Sequence, residues 1–437
     1  MKKIVTKFGG SSLADAAQFK KCAAIIRSDP ARRYVVVSAP GKRHWNDIKI
    51  TDLLYRCCDA AHKDLDFSDS FRLVRERYCG IVRELGLELD LTAKLDHIEN
   101  KLRGKADRDY AGSRGEYLSA MVMAAYLDWP LIDSEDYILF REDGSFDAEA
   151  TQEKLSFILQ DTPCAVFPGF YGGLPDGRVH TFSRGGSDIS GAIVARASAS
   201  DLYENWTDVS GLLSCDPRIV DNPAPIDVIS YAELRELAYM GASVLHESAI
   251  FPVKAAGIPV NIRNTNDPDA PGTMIQTNPK ERHGRTITGI AGRGCYTSIM
   301  IEKDQMNEEV GFAMRVLQVL ARHNIIVEHI PTGIDIMSVI VPSDQLAPRR
   351  DEVMAELWAE TRADSIKIND NMALLTVVGQ GMKNQLGAAG RVFSALGHAG
   401  INVNMIDQGS DELNLIIGID AEDLNPAIRA LYHEFFG

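Results

Sequence analysis

The C-terminal third of the chain repeats itself, and no other feature limits the available folds as strongly. Gly311 to Ile330 aligns without a gap on Gly387 to Ile406, with identities at Gly311/Gly387, Ala313/Ala389, Arg315/Arg391, Val316/Val392, Leu320/Leu396, Ile325/Ile401, Val327/Val403 and Ile330/Ile406. A fixed internal period means that one supersecondary unit is built twice. Each copy opens on Gly, runs into a helix with apolar residues at i, i+4 and i+8 (Phe312, Val316, Leu320), and then enters a strand of alternating apolar positions. Strand candidates at Tyr296 to Ile301 and Met337 to Val341 in the first copy, and at Ala373 to Val378 and Leu413 to Ile419 in the second, complete a βαββ-type module.

The rest of the chain reads differently. Short β-branched runs alternate with longer helical stretches, the pattern of an α/β domain with a mainly parallel sheet sandwiched by helices. Candidate strands are Lys3 to Phe8, Tyr34 to Ala39, Cys164 to Phe167, Leu202 to Thr207 and Ile258 to Arg263. Between Asp64 and Lys105 the pattern is helical and charged, an excursion from the sheet that covers its active edge. Pro268, Pro271, Gly272 and Pro279 mark loops or a surface hairpin before a boundary near Gly294. The expected division is therefore 1–293 for the α/β domain, 294–370 for the first repeated module and 371–437 for the second.

A length of 437 residues suits roughly two to four compact units. The net charge of -15 repels a phosphate backbone, which disfavours a nucleic-acid partner and leaves small ligands. Seven cysteines, an odd number without CxxC spacing, read as reduced thiols. No apolar run approaches the ~18 residues of a membrane span, and Ile4-Val5-Thr6-Lys7-Phe8 is no signal-peptide pattern, so a cytoplasmic, membrane-free protein is expected.

Three motifs carry chemistry. In Lys7-Phe8-Gly9-Gly10-Ser11-Ser12 a strand ends in a Gly pair and hydroxyls before a helix near Ala14. Glycines let the backbone approach an anion, N–H groups point at it, and Lys7 adds a full charge. The lysine precedes the glycines, so this is not a Walker A loop; taken alone, such a turn is more often plain turn chemistry. Thr181-Phe182-Ser183-Arg184-Gly185-Gly186-Ser187-Asp188 is a second such loop, leading into a helix read as Ile189 to Ala199. Arg184 suits a carboxylate, whereas Asp188 alone could be no more than a dipole partner in the first turn. Trp206-Thr207-Asp208-Val209-Ser210-Gly211, followed by Cys215-Asp216-Pro217-Arg218, puts a polar turn at a strand end, where open α/β sheets place ligands. Asp47 and Asp52 read as solvated surface, no His/Cys cluster has metal-ligand spacing, and His246 and His323 receive no role.

In this order, together with Val37-Ser38-Ala39, Arg114-Gly115-Glu116, Pro168-Gly169-Phe170 and the paired repeat, the motifs resemble the aspartate kinase branch of the amino acid kinase superfamily, which carries tandem ACT domains. The resemblance implies an amino acid kinase fold followed by two ferredoxin-like ACT α+β regulatory domains. It implies ATP-dependent phosphorylation of the β-carboxylate of L-aspartate with Mg²⁺, the first step towards lysine, threonine and methionine. By similarity, Lys7 bridges the transferring phosphoryl group, Gly9, Gly10 and Ser11 hold ATP phosphates, and Asp188 orients Lys7. Arg184 takes the α-carboxylate of aspartate and Glu116 its ammonium, with Ser38, Thr51, Phe170 and Ser187 lining the pocket. Thr207, Asp208 and Arg218 meet the nucleotide.

Leu213 and Ser243 stand where many family members carry tyrosine and lysine, and Pro40 to Ile50 is inserted before Thr51. In the family the first ACT module binds the inhibitory amino acid at a dimer interface, which points here to Met306, Gly311, Phe312, Ala313, Val327 and Glu328. Lysine is expected ahead of threonine as effector, and a homodimer or homotetramer through the ACT domains. The alternatives are another small-substrate kinase of the superfamily, which usually lacks the ACT tail, and a non-catalytic amino-acid sensor, against which Lys7 and Asp188 speak together.

Overall fold

The computed structural model describes residues 2–183, 185–241, 251–279, 285–383, 385–409 and 411–437. The chain forms two compact units that interleave in sequence: Met1–Leu212, Pro225–Tyr231 and Val244–Glu281 make the first, and Leu213–Ala224, Ala232–Ser243 and Arg282–Gly437 the second.

The first unit is built on a seven-stranded sheet. Its strands are β1 (Ile4–Phe8), β2 (Arg32–Val37), β3 (Ala165–Pro168), β4 (Leu202–Thr207), β5 (Val228–Ser230), β6 (Val260–Asn264) and β7 (Thr273–Gln276). Their spatial order is β3-β2-β1-β4-β6-β7-β5. Strands β3, β2, β1, β4 and β6 run parallel, and β7 returns antiparallel to β6 as the hairpin anticipated from the Pro/Gly-rich stretch. Every residue of β1 is buried, as expected of a central strand covered on both faces.

Five helices form one layer: α1 (Ala16–Ser28), α2 (Ile50–His62), α3 (Ser68–Leu85), α4 (Thr92–Arg103) and α5 (Arg108–Leu127). Phe8, Val35, Val37 and Trp206 share a core with Phe19, Leu54, Phe71, Tyr78 and Leu95 from these helices. Each such aliphatic or aromatic side chain contributes about 1.5–3 kcal/mol on burial. On this face Glu204 of β4 is buried yet fully engaged. It accepts from Arg32 at 2.7 and 3.1 Å and from Trp206 Nε1 at 3.0 Å. The opposite face of the sheet meets α6 (Gly186–Ala197), whose packing decides where the site forms.

The second unit contains a five-stranded antiparallel sheet. It comprises β8 (Gly289–Glu302), β9 (Ile336–Pro342), β10 (Ser365–Val378), β11 (Met405–Asp407) and β12 (Asn414–Asp420), ordered β9-β8-β10-β12-β11. The repeat is visible in its helices, α7 (Phe312–Arg322) and α9 (Ala388–His398), with α8 (Arg350–Thr361) between them and α10 (Leu424–Phe436) after them. Gly311 and Gly387 precede the two repeat helices with φ of 85° and 82°, the same left-handed entry in both copies. Phe312, Val316 and Leu320 are buried, as their spacing requires.

Two expectations are corrected. After α7 the first copy makes only isolated bridges at His329 and Thr332, whereas the second forms β11. Strands β8 and β10 are each 14 residues long, so they outrun the short candidates and serve both repeats. Gly10–Leu13 forms a 3-10 turn before α1, which starts at Ala16, close to the position near Ala14 read from the sequence.

The approach of α6 to the sheet depends on Gly191, where an added Cβ would lie 2.6 Å from Tyr203 Oη. Gly191→Ala therefore forces helix or ring to shift. We expect a loss of about 1–3 kcal/mol, read as a lower melting temperature, while the same substitution at Gly80, where a Cβ meets nothing, leaves the protein no less stable.

Candidate functional site

Parallel pairing sets Lys7 of β1 directly beside Asn205 of β4. Both side chains leave the face that meets α6, where Asp188 occupies the first helical turn behind Gly185, which has φ of 59°. Lys7 Nζ forms an ion pair with Asp188 Oδ1. Asn205 Nδ2 donates to the same oxygen at 2.9 Å, and its own Oδ1 lies 3.5 Å from Lys7 Nζ. Tyr203 Oη donates to the Asp188 carbonyl at 3.1 Å. The ammonium thus meets Asp188 and Asn205, with the side chains of the ion pair only 9% and 15% exposed. Asp188 does more than complement a helix dipole.

The chain then turns over this cation. Gly9 N donates to Trp206 O at 3.0 Å, and a Cβ on Gly9 would sit 3.6 Å from Lys7 Nζ. Gly10 packs on Gly41 so closely that a Cβ on Gly41 would meet the Gly10 carbonyl carbon at 2.7 Å and Ser11 N at 2.9 Å. The turns after β1 and β2 therefore lie against each other at the carboxyl edge of the sheet, where open α/β folds bind ligands.

Arg77 of α3 fixes these turns, and it was missed in the sequence. Its Nη1 donates to the carbonyls of Ala14 and Gly41, each at 3.1 Å, and its Nη2 donates to Asp47 at 2.7 Å. Asp47 is accordingly not solvated surface: Arg43 and Arg77 both pair with it and hold its carboxyl well below the usual range. No local pattern announces an arginine that reaches 36 and 63 residues back along the chain. Asn205 could have been found, because it aligns with Lys7 on the neighbouring strand.

The other predicted groups gather along the same edge. Ser38 follows β2, its N–H donating to Phe8 O at 3.1 Å. Thr51 lies in the first turn of α2, whose Ile50 N–H donates to Pro40 O at 3.2 Å. Gly169 abuts Ser187, where a Cβ would come within 2.7 Å, and Phe170 is held at φ of 79° with its N–H donating to Ser190 Oγ at 3.0 Å. A bulky residue at positive φ stores strain, which local bonding sustains here.

Glu116 is the most perturbed carboxyl of the set. Gly115 lets α5 close on Ala39, where a Cβ would meet the Ala39 Cβ at 2.6 Å, and this carries Glu116 into the interior. It is 5% exposed, and Oε2 has no hydrogen-bond partner among the described residues. Burial pushes its pKa up to about 8, against smaller opposing effects of the Ala39 backbone, Arg114 and Lys7. A buried carboxylate oxygen without a donor is what an incoming ammonium group could satisfy.

Thr207 and Asp208 end β4 next to Gly9, with Thr207 Oγ1 donating to Asp208 Oδ1 at 3.1 Å. Arg218 belongs to the second unit, where it pairs with Asp216 and is 88% exposed. Also in that unit, Met306 and Phe312 are core residues, Gly311 and Ala313 stand at the start of α7, Val327 is half-buried, and Glu328 accepts from Tyr239. Arg184, Ser243 and His246 lie outside the described residues. Among the described residues no three His, Cys, Asp or Glu side chains form a metal-binding group, and no helix is long and apolar enough to cross a membrane.

Residues 2–264 match the amino acid kinase family and residues 375–435 match an ACT domain. The chain is 39% identical to aspartokinase 3 of Bacillus subtilis, over 99% of this chain and 98% of the relative. Among solved structures it is similar to Clostridium acetobutylicum aspartate kinase, at 46% identity and a TM-score of 0.92 over the whole of both chains. It is also similar to Escherichia coli aspartokinase III over the whole of both chains at 26% identity. The TM-score is 0.77 for that enzyme's complex with aspartate and ADP and 0.75 for its complex with lysine and aspartate.

A carboxyl held at a pKa of about 8 binds a proton that the unfolded chain has already released near its ordinary value of 4.5. The native state then carries the extra proton, so stability falls as pH rises through that window and levels off above 8. Between pH 6 and pH 9, the ligand-free wild type should lose more melting temperature than Glu116→Gln. Parallel curves for the two proteins would contradict the assignment.

Proposed function

The chain belongs to the aspartokinase branch of the amino acid kinase family, and we propose that it transfers the γ-phosphoryl group of ATP to the β-carboxylate of L-aspartate under feedback control by lysine. The observation that carries this is the buried Lys7, held by Asp188 and Asn205 under the Gly9 turn, with the unpartnered oxygen of Glu116 in the same unit.

Phosphoryl transfer asks little covalent chemistry of a protein and much positioning and charge neutralisation. Lys7, oriented by Asp188, stabilises negative charge on the transferring group, while the N–H groups at Gly9, Gly10 and Ser11 and the Thr207–Asp208 turn receive the nucleotide. Arg218 is proposed as a further nucleotide contact. Glu116 accepts the substrate ammonium and Arg184 its α-carboxylate, leaving the β-carboxylate free to attack, with Ser38, Thr51, Phe170 and Ser187 shaping the pocket. Mg²⁺ would enter with the nucleotide, and Asp188 is the carboxylate beside Lys7 that would help hold it. When bound, that ion would supply neutralisation of the phosphate charge.

The regulatory modules are proposed at 294–370 and 371–437, pairing with a second copy of the chain in a homodimer or homotetramer. The effector is proposed to meet the first module around Gly311, Ala313, Val327 and Glu328, with Met306 and Phe312 setting the base of that loop. The product would open the route to lysine, threonine and methionine, and a cytoplasmic location suits such chemistry.

Replacing Lys7 by Ala should lower kcat by about 10²–10³-fold or more, as for loss of other transition-state donors, while circular dichroism stays unchanged. Full activity in that variant would remove the mechanism. Lysine at millimolar concentration should inhibit the wild-type enzyme more strongly than threonine. Inhibition by threonine alone would reassign the effector.

A further inference from the structure

We propose that Asp109 is a positioning residue that holds the strand leading towards Ser187 and Asp188 against the helix that carries Glu116. Asp109 lies in the first turn of α5, two turns ahead of Glu116 on the same helix. Its Oδ1 accepts from Thr181 Oγ1 at 2.7 Å, and its Oδ2 is 2.6 Å from His180 Nδ1. His180 and Thr181 end the short strand Val179–Thr181, which pairs with Tyr171–Gly173. One carboxylate thus joins consecutive residues of that strand to the helix that carries Glu116.

The chain beyond the joint is the substrate loop. Phe182 N donates to Phe170 O at 2.9 Å and its ring packs on Phe140, whose ring lies edge-on to His180 with centroids 4.8 Å apart. Two residues after Phe182 comes Arg184, and α6 then begins with Ser187 and Asp188 in its first turn. Glu116 and the Arg184 to Asp188 loop come from segments about 70 residues apart, so something must hold them in register. Asp109 hydrogen-bonds the strand that leads into that loop to the helix that carries Glu116. It contacts neither Lys7 nor the Gly9 turn, and Asp188 keeps its own ties to Lys7, Asn205 and Tyr203, so the effect falls chiefly on how aspartate is gripped. The inference rests on the aspartate site proposed above.

The test measures kcat and both KM values for Asp109→Ala, Thr181→Val and Thr181→Ser, with melting temperatures alongside. We expect aspartate KM to rise at least fivefold in Asp109→Ala and Thr181→Val. We expect kcat to stay within threefold and ATP KM within twofold of wild type, with Thr181→Ser, which keeps the hydroxyl, close to wild type. If Asp109→Ala does not yield folded protein, Thr181→Val decides, because it removes a single hydrogen bond at nearly constant volume. Aspartate KM within twofold of wild type, a uniform fall in all parameters tracking stability, or a Thr181→Ser variant no better than Thr181→Val would each overturn the inference. A wild-type enzyme inert towards aspartate would instead overturn the functional proposal itself, so the two failures are distinguishable.

Discussion

Everything at the sheet edge is organised by one buried ion pair, Lys7 with Asp188. A lysine in the middle of a covered sheet costs desolvation energy, and the pair survives because each partner has further hydrogen-bonding groups in place. Asn205 bridges them, Tyr203 anchors the Asp188 backbone, and Gly191 lets α6 come close enough for the contact to exist. Removing one partner of such a pair typically costs about 3–5 kcal/mol, because the other is left buried and uncompensated. Chemistry and fold therefore share the same residues on this face, whereas Glu204 with Arg32 fulfils a purely structural version of the task on the other.

Glu116 shows the complementary strategy. Its carboxyl is carried indoors by the close approach of α5 to Ala39 and left with one oxygen unsatisfied, so the free protein retains a proton there that an amine ligand would displace. Lys7 is satisfied within the chain and Glu116 is not. In the proposed mechanism the contrast separates a group paired within the chain from one that would acquire its partner with the substrate.

Much of the framework was legible from local pattern. Strand β4 falls where its β-branched and aromatic run placed it, the excursion between Asp64 and Lys105 is helical, and the repeat glycines share one backbone conformation. Those features are set by neighbours in sequence, by period and by positive φ. Arg77 and the true environment of Asp47 were not legible, because each depends on partners brought together only by packing. The first repeat's missing strand belongs to the same class. Its alternation matches that of the second copy, yet pairing there is reduced to isolated bridges, and periodicity alone does not report a partner strand.

The central claim is that the paired charges grip the α-groups of aspartate and present its side-chain carboxylate to the phosphoryl donor. The most direct measurement is to run the wild-type enzyme with aspartate, ATP and magnesium in the presence of hydroxylamine and identify the trapped product. The account predicts the β-hydroxamate of aspartate, formed only when ATP is present. The α-hydroxamate, or no hydroxamate at all while ATP and aspartate remain unconsumed, would contradict it.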